Sequence, residues 1–410
     1  MQLRELSLEE YQNHARTVSH RSFMQTEEMA ELLRKRGMTV RFVGLVQNQT
    51  IVVAALVYKI AMTGGWHMEI NSGPVYQDET YLHDFYRLLK DYAKQNGALE
   101  LIVKPYSTYQ TFDSNGQATG PENSQLIKDL VDCGYSFDGL QTGYPGGEPD
   151  WHYIKKLNGV TEENLVASFS KKGKTLSKKT NSFGMQVKVL KREELPAFKA
   201  VTSATSDRRE YTDKSLDYYQ DFFDAFGDKA EFTLATINFP HYLEQLESSQ
   251  ASLKKTLSAI QSELDKNPNS RKKQNEHREI SSQIASFDQR KKEAQVWIEQ
   301  YGHEDVALAA SLFIYTEHEL VYLFSGSLTE FNSFYAPMLL QEYAMKEAIK
   351  RGISFYTLLG ITGKFDGSDG VLRFKQNFNG SIVRKMGTFR YYPHPLKYKS
   401  IQFIKKILGR

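Results

Sequence analysis

The chain has 410 residues, 40% apolar and 12% aromatic, with 52 Lys and Arg against 49 Asp and Glu for a net charge of +3. That length exceeds what one core usually supports, so two domains are expected, and so small a net charge excludes general polyanion binding and confines any basic patch to a local cluster. The single cysteine, Cys133, excludes an intrachain disulfide or a cysteine metal cluster, and reads as a small buried thiol. The charged start MQLRELSLEEYQ does not read as a signal peptide, and no window approaches 18 uninterrupted apolar residues. A reducing, cytoplasmic context is expected, with no membrane span.

Arg41 to Leu45, Thr50 to Tyr58 with VVAALVY at its centre, and His67 to Asn71 are β-branched or aromatic at close to a two-residue period, which predicts three strands. Tyr81, Phe85, Leu88, Leu89 and Tyr92 then recur at three- and four-residue intervals, predicting a helix capped by Gly97, and Leu99 to Val103 follows as a strand. Tyr106 and Tyr109, in VKPYSTYQ at the end of that strand, are expected to line a cleft, and TGYPGGEPDW at 142 to 151 reads as a loop. Lys171, Lys172, Lys174, Lys178 and Lys179 fall within nine residues. Two readings fit them: a solvated connector, or a strip that contacts the phosphates of tRNA or a membrane.

From 241 to 299 the period changes. Leu243, Leu246, Leu253, Leu257, Ile260 and Leu264 occupy a and d positions, with Gln250 the polar exception; after Asn267-Pro268-Asn269-Ser270, Ile280, Ile284, Phe287, Ala294 and Ile298 continue the seam, with Lys291 its exception. Two helices joined by a Pro-Asn turn make an antiparallel coiled-coil arm roughly 35 Å long at 1.5 Å per residue. An arm that adds little core favours a partner-binding role over a purely structural one.

The second half repeats the plan of the first. Val306 to Tyr315, with LAASLFIY, answers the VVAALVY strand; Val321 to Ser325 answers the His67 strand; Ser325-Gly326 answers Ser72-Gly73; and Ile353 to Leu359 follows Gly352 as Leu99 to Val103 follows Gly97. Gly73 to Gly97 spans 24 residues and Gly326 to Gly352 spans 26, which predicts two copies of one α/β domain. The expected units are 1–155, 156–240 with 300–395, the arm at 241–299, and a C-terminal segment at 396–410. In that last segment Lys397, Lys399, Lys405, Lys406 and Arg410 stand against Leu396, Ile401, Ile404, Ile407 and Leu408. This basic amphipathic helix has three open readings: packing on the second domain, lying on an anionic membrane surface, or contacting RNA.

GVLRFKQNFNG, from Gly370 to Gly380, sets Lys375 between Phe374 and Gln376-Asn377-Phe378, and its glycines predict a loop entering a short turn or strand. A lysine there either lays its stem over the phenylalanines or carries chemistry. Upstream, Asp366 and Asp369 in FDGSDG are turn formers, or one of them is a general base.

Each copy resembles the Gcn5-related N-acetyltransferase (GNAT) fold, in which a central helix follows a mixed sheet. The expected architecture is therefore α/β (α+β): two tandem GNAT-like domains with the helical arm inserted in the second. The Gly-rich turn Gln/Arg-x-x-Gly-x-Gly/Ala, by which coenzyme A-using members cradle pyrophosphate, occurs in neither copy, so no coenzyme A is expected.

SFMQTEEMAELLRKRG at 22 to 37, the Thr205 to Tyr219 segment with Arg208, the coiled-coil insertion, FSGSLTEFNSFYAPMLLQEYAMKEAIKRGISFYTLLGI at 324 to 361 and GVLRFKQNFNG cover essentially the whole chain. In that order they resemble the FemABX family of non-ribosomal peptidyltransferases. The resemblance implies transfer of an amino acid from aminoacyl-tRNA to the peptide branch of a peptidoglycan precursor, and the likeness is nearest to the type that adds a second branch residue, alanine. It places the family's oxyanion-stabilising lysine on Lys375, after Phe374, and its phosphate-contacting arginine on Arg208, with Arg209 adjacent. The family's diphosphate-holding lysine falls on Leu33, with Arg34, Lys35 and Arg36 following, and a tyrosine near the second Ser-Gly is replaced by Phe324.

An aminoacyl ester is already activated, so no ATP site is needed, and no Gly-x-x-x-x-Gly-Lys-Ser/Thr pattern occurs. The partners implied are alanyl-tRNA and lipid II or a UDP-linked muropeptide, with no metal or other cofactor and a monomer peripheral to the cytoplasmic membrane face. Three competing expectations are addition of the first branch residue to the stem lysine, a non-catalytic membrane scaffold, and a coenzyme A-dependent acyltransferase.

Overall fold

The structure, a computed structural model, describes residues 1–407, so Leu408 and Arg410 of the predicted C-terminal helix lie outside the described residues. Two sheets reproduce the repeat. In the first, Thr39–Gln47, Thr50–Met62 and Gly65–Asn71 run antiparallel, and Ala98–Lys104 joins Gly65–Asn71 in parallel after helix Leu82–Gln95 crosses over. In the second, Ala230–Asn238, Asp305–Tyr315 and Leu320–Ser327 run antiparallel, and Phe355–Ile361 joins Leu320–Ser327 in parallel after helix Ala336–Lys350. Edge strands Gln2–Leu6 and Gln186–Val189 flank the two copies at the same position. The chain is two tandem GNAT-like domains, and the arm, helices Phe239–Lys266 and Arg271–Tyr301, leaves the second between its first two central strands.

The two-residue period of VVAALVY puts Val53, Ala55 and Val57 against Phe85 and Leu89 of the crossover helix, and Ala54 and Leu56 on the opposite face. Ala310, Leu312 and Ile314 of the second sheet join that opposite face through Leu33, Phe198, Val201 and Phe222, which lie on helices Glu27–Lys35, Leu195–Arg209 and Leu216–Phe226. One core therefore joins the domains, and these strands read as continuous apolar runs because both faces are covered.

The expected division at residue 155 does not follow the sheets. Thr108–Phe112 and Trp151–Lys156 pair into the second sheet, on either side of Ser381–Lys385, while Phe389–Tyr391 crosses back to pair with Ala98–Lys104 and Ser136–Phe137 in the first. The exchange gives partners to the edges of Ala98–Lys104 and Trp151–Lys156, and leaves the short strands Ser136–Phe137 and Thr108–Phe112 at the ends of the sheets. The C-terminal helix Pro395–Ile407 also returns to the first domain: Ile401 lies over Gly64, beside Leu99. In the arm, the two polar exceptions of the seam meet: Lys291 Nζ donates to Gln250 Oε1 at 2.8 Å, and Gln250 Nε2 donates to Asp288 Oδ1 at 2.7 Å. Among the described residues no helix is long and apolar enough to cross a membrane.

Candidate active site

Leu320–Ser327 and Phe355–Ile361 pair through Leu320 with Tyr356 and Val321 with Thr357, and then part. On the far side of Phe355–Ile361 the register to Trp151–Lys156 shifts between Thr357 and Gly360, and Leu359 takes φ +55°. Such a bulge re-aims backbone groups out of the ladder. The Lys375 ammonium captures two of them, donating to Leu359 O at 3.1 Å and Gly360 O at 2.6 Å.

Where the sequence predicts a loop entering a turn or strand, Gly370–Lys375 forms a short helix that continues into a tight turn over Gln376–Phe378. The cause is Asp369. Its Oδ1 accepts from Val371 N at 2.8 Å and Leu372 N at 3.0 Å, and its Oδ2 from Thr362 N at 2.9 Å and Thr362 Oγ1 at 2.8 Å. Burial alone would raise its pKa, but these four bonds outweigh it and hold the carboxylate below its ordinary range. Asp366 accepts Ser368 N and Oγ at 2.9 and 2.5 Å in an exposed turn, and its pKa is lowered by those bonds. Neither fits the general-base expectation, because a carboxylate with committed lone pairs and reduced proton affinity is a poor base. Asp369 is the cap that aims Lys375.

Lys375 is 3% exposed, and burial pushes its pKa down to about 7, with Asp369 opposing. An ammonium has three N–H donors and two are taken by carbonyls, so one remains. The far end of the turn is held by Lys155, whose Nζ donates to Phe378 O at 2.8 Å and whose pKa burial pushes down to about 8.

Phe374 forms one wall of a cavity of about 240 Å³ at the start of helix Ala336–Lys350, lined otherwise by side chains such as Leu176, Leu328, Phe331, Tyr335 and Met338. Leu176 comes from helix Lys171–Asn181, which buries Gly173, Ser177 and Thr180 and turns Lys171, Lys172, Lys174, Lys178 and Lys179 outward. Gly173 is obligatory there: a Cβ would stand 2.0 Å from Asn377 O, so only a bare backbone lets the lysine helix touch the turn after Lys375. Lys179 Nζ lies 4.9 Å from the Tyr335 ring centroid, at the cavity rim.

Gly326 serves a comparable close approach, since a Cβ would meet Val201 O at 2.6 Å. Helix Leu195–Arg209 thereby reaches the strand end, where Ser327 N donates to Thr205 Oγ1 at 2.9 Å, and Arg208 Nη1 donates to Ser327 O at 3.1 Å and to Thr329 Oγ1. Ser327 lies on the cavity wall. Arg209 instead faces Tyr144, Tyr211 and Tyr322: burial raises each phenol's pKa and the Arg209 charge opposes it. Tyr144 also feels Asp369, so this group borders the cap.

Other predicted residues stand elsewhere. Lys35 Nζ lies 3.9 Å from Asp224, the Arg36 guanidinium 4.5 Å from the Tyr218 ring and that of Arg34 5.9 Å from the Phe42 ring, so this run serves the joint between domains and is not brought to the Lys375 turn. Phe324 meets Tyr218 and Tyr219 edge-on, packing for which a hydroxyl is not needed. Tyr106 is no free cleft residue: its hydroxyl donates to Glu319, and its ring contacts His20 and, at 3.6 Å, Lys385 Nζ. Tyr109, 6% exposed, belongs to the first domain's core because its strand end is covered. Lys405 and Lys406 ride on the C-terminal helix, which packs against the first domain, and Cys133 is buried, with its thiol pKa raised by that burial.

His152 is the site neighbour that sequence reasoning missed. Strand register sets it opposite Gly360 and Val383. Its Nε2 donates to Pro149 O at 3.1 Å, its buried Nδ1 has no partner among the described residues, and burial, then Lys385 and Lys375, push its pKa down to about 3. It is a neutral acceptor beside Lys375, and no spacing along the chain signals that 152 and 360 are neighbours.

Over the first domain, the joint and this site, the chain has known relatives. Aminoacyltransferase FemA of Staphylococcus aureus (strain bovine RF122 / ET3-1) is 26% identical over 419 residues, covering all of both chains. Aminoacyltransferase FemA of Staphylococcus epidermidis (strain ATCC 35984) is 27% identical over 416 residues, covering 99% of this chain and all of that one. The crystal structure of FemX superposes with a TM-score of 0.75 at 18% identity, over 97% of this chain and 98% of that one, a likeness of fold. The FemAB family model matches residues 6–406, and the chain belongs to the FemAB family.

Proposed function

We propose that this aminoacyltransferase moves alanine from alanyl-tRNA to the peptide branch of a lipid-linked peptidoglycan precursor, as the branch's second residue, on the cytoplasmic side of the membrane and as a monomer. The observation that carries the reaction is the N–H of Lys375 left over from its two carbonyl bonds, one residue along the chain from Phe374, which walls an apolar cavity that the lysine-studded helix also lines. The residue and branch position rest on the motif resemblance.

Lys171, Lys172 and Lys174 take tRNA phosphates, and the aminoacyl end enters beside Phe374. The acceptor amine attacks the ester carbonyl carbon; a C–N bond forms and the carbonyl oxygen becomes an oxyanion, which the third N–H of Lys375 stabilises. On collapse the C–O bond to the ribose breaks, and the ribose oxygen takes the proton that the amine gives up, leaving an amide and free tRNA. Arg208 and Arg209 pair with the acceptor's diphosphate, as guanidinium groups do with phosphate oxygens.

The donor ester needs no coenzyme A. Pro337, in the first turn of helix Ala336–Lys350, supports that reading, because it deletes one N–H from the helix start where a pyrophosphate would otherwise be held.

The test is mass spectrometry of lipid II carrying either a bare stem peptide or one branch residue, after incubation with the protein and alanyl-tRNA. Gain of one alanine on the pre-branched acceptor alone is expected. Gain on the bare stem would move the chain to the first branch position, and gain on neither would favour the scaffold reading.

A further inference from the structure

Helix Pro395–Ile407 carries its apolar residues on the wrong side for a helix that only packs on its own protein. Tyr398, Ile401, Gln402 and Lys405 are the half-buried positions facing the first domain, with Ile401 over Gly64 and the Tyr398 ring tilted against that of Tyr392 at 4.2 Å between centroids. The outward residues include Leu396 at 81% exposure, Phe403 at 66%, Ile404 at 53% and Ile407 at 68%. At 3.6 residues per turn these four fall within an arc of about 100°. Lys397 borders that arc on one side and Lys399 and Lys406 on the other, all exposed. No Asp or Glu occurs after Asp369 in the sequence, so nothing acidic in this part of the chain offsets them.

We propose that this outward face docks the protein on an anionic phospholipid bilayer, the apolar arc sinking among the acyl chains and the flanking lysines meeting lipid phosphates. The order of the residues selects this partner. A helix lying in a membrane interface has an apolar stripe bordered by cations that reach up to the headgroups. An RNA backbone would pair with the lysines but leave Leu396, Ile404 and Ile407 in water. A second copy of the helix laid face to face would set lysine against lysine. The proposal stands on this helix alone and goes beyond the transfer reaction, which the lipid-free branch of the test reads separately.

The full-length protein is assayed for co-sedimentation with vesicles of phosphatidylcholine alone and with one third phosphatidylglycerol, beside Phe403→Ser/Ile407→Ser and Lys397→Gln/Lys399→Gln/Lys406→Gln variants. The substituted side chains point to solvent, so thermal midpoints should match wild type. Wild type is expected to bind the anionic vesicles, the serine variant at least about tenfold more weakly, and the glutamine variant about a hundredfold more weakly, with its preference for anionic lipid gone. Transfer to a water-soluble UDP-linked acceptor should be unchanged in the serine variant. Wild-type binding that both variants retain, or no wild-type binding, would overturn the proposal. So would a wild-type dimer in light scattering that the serine variant dissolves, or an RNA hairpin that the glutamine variant alone releases while vesicles are ignored.

Discussion

Lys375 Nζ donates to the carbonyl of Gly360 at 2.6 Å, at the bulge where strand Phe355–Ile361 shifts register against Trp151–Lys156. An ammonium fixed by backbone cannot swing away, so its remaining N–H has a set direction. Donors that need no rearrangement during reaction are the effective ones.

Lys375→Ala should therefore lower kcat about 10²- to 10³-fold, with KM for aminoacyl-tRNA within a few-fold of wild type. Lys375→Arg should not restore the rate, because a planar guanidinium does not fit two carbonyls arranged for a compact ammonium. Single-turnover transfer decides it, and a wild-type rate in the alanine variant would remove Lys375 from the chemistry.

The buried ammonium also predicts a pH dependence. Burial takes the Lys375 pKa from its ordinary 10.5 to about 7. Between those values the unfolded chain holds a proton that the native protein has released, so stability rises with pH across that window, and the cost of burying the charge is complete only below pH about 7. Lys375→Met should melt above wild type at pH about 6, with the advantage shrinking by pH about 9. If the charged form assists transfer, the wild-type rate should fall as pH rises above about 7. A rate that climbs through that range would assign the neutral amine a base's role instead.

Lys171→Gln, Lys172→Gln and Lys174→Gln combined should weaken tRNA binding and flatten its salt dependence. Three lost phosphate contacts correspond to a drop of roughly 2 to 3 in the slope of log K against log salt. Filter binding over a salt series measures this, and an unchanged slope would return the helix to the role of solvated connector.

Gly173→Ala drives a methyl towards Asn377 O, only 2.0 Å away, with backbone on both sides. The expected cost is about 1 to 3 kcal/mol of stability, with a fall in kcat because the displaced turn carries Lys375. Thermal unfolding and transfer assays on the same sample check both effects.

In the arm, Lys291→Ala leaves the buried Gln250 oxygen without its donor and should cost about 1 to 2 kcal/mol locally. Gln250→Leu with Lys291→Leu should instead strengthen the seam while relaxing its register. Hydrogen exchange along residues 243–264 separates the outcomes: faster in the first variant, slower in the second.

The repeat was legible because each copy writes the same punctuation, Ser72-Gly73 and Gly97 against Ser325-Gly326 and Gly352, around apolar strands that are buried on both faces. The arm was legible from its heptads, down to the two polar residues that turn out to bond each other. Lys375 stood out as a charge among aromatics. Tyr106, Tyr109 and Arg34 to Arg36 misled because a strand or helix end is a cleft or a joint depending on the neighbouring domain, which local pattern does not reveal. Asp369 reads equally well as base or cap until its four donors are counted. His152 was invisible because only strand register brings it to Gly360.

The exchange of strands between the sheets binds the two domains into a single folding event. Phe389–Tyr391 completes a sheet whose other strands begin at Gln2–Leu6, so the first domain waits on a strand made after the central strands of the second, while Thr108–Phe112 waits for Ser381–Lys385. Neither domain can be excised as a contiguous piece, and during synthesis the strands of the first domain leave the ribosome before Phe389–Tyr391, the strand that pairs with Ala98–Lys104, is made.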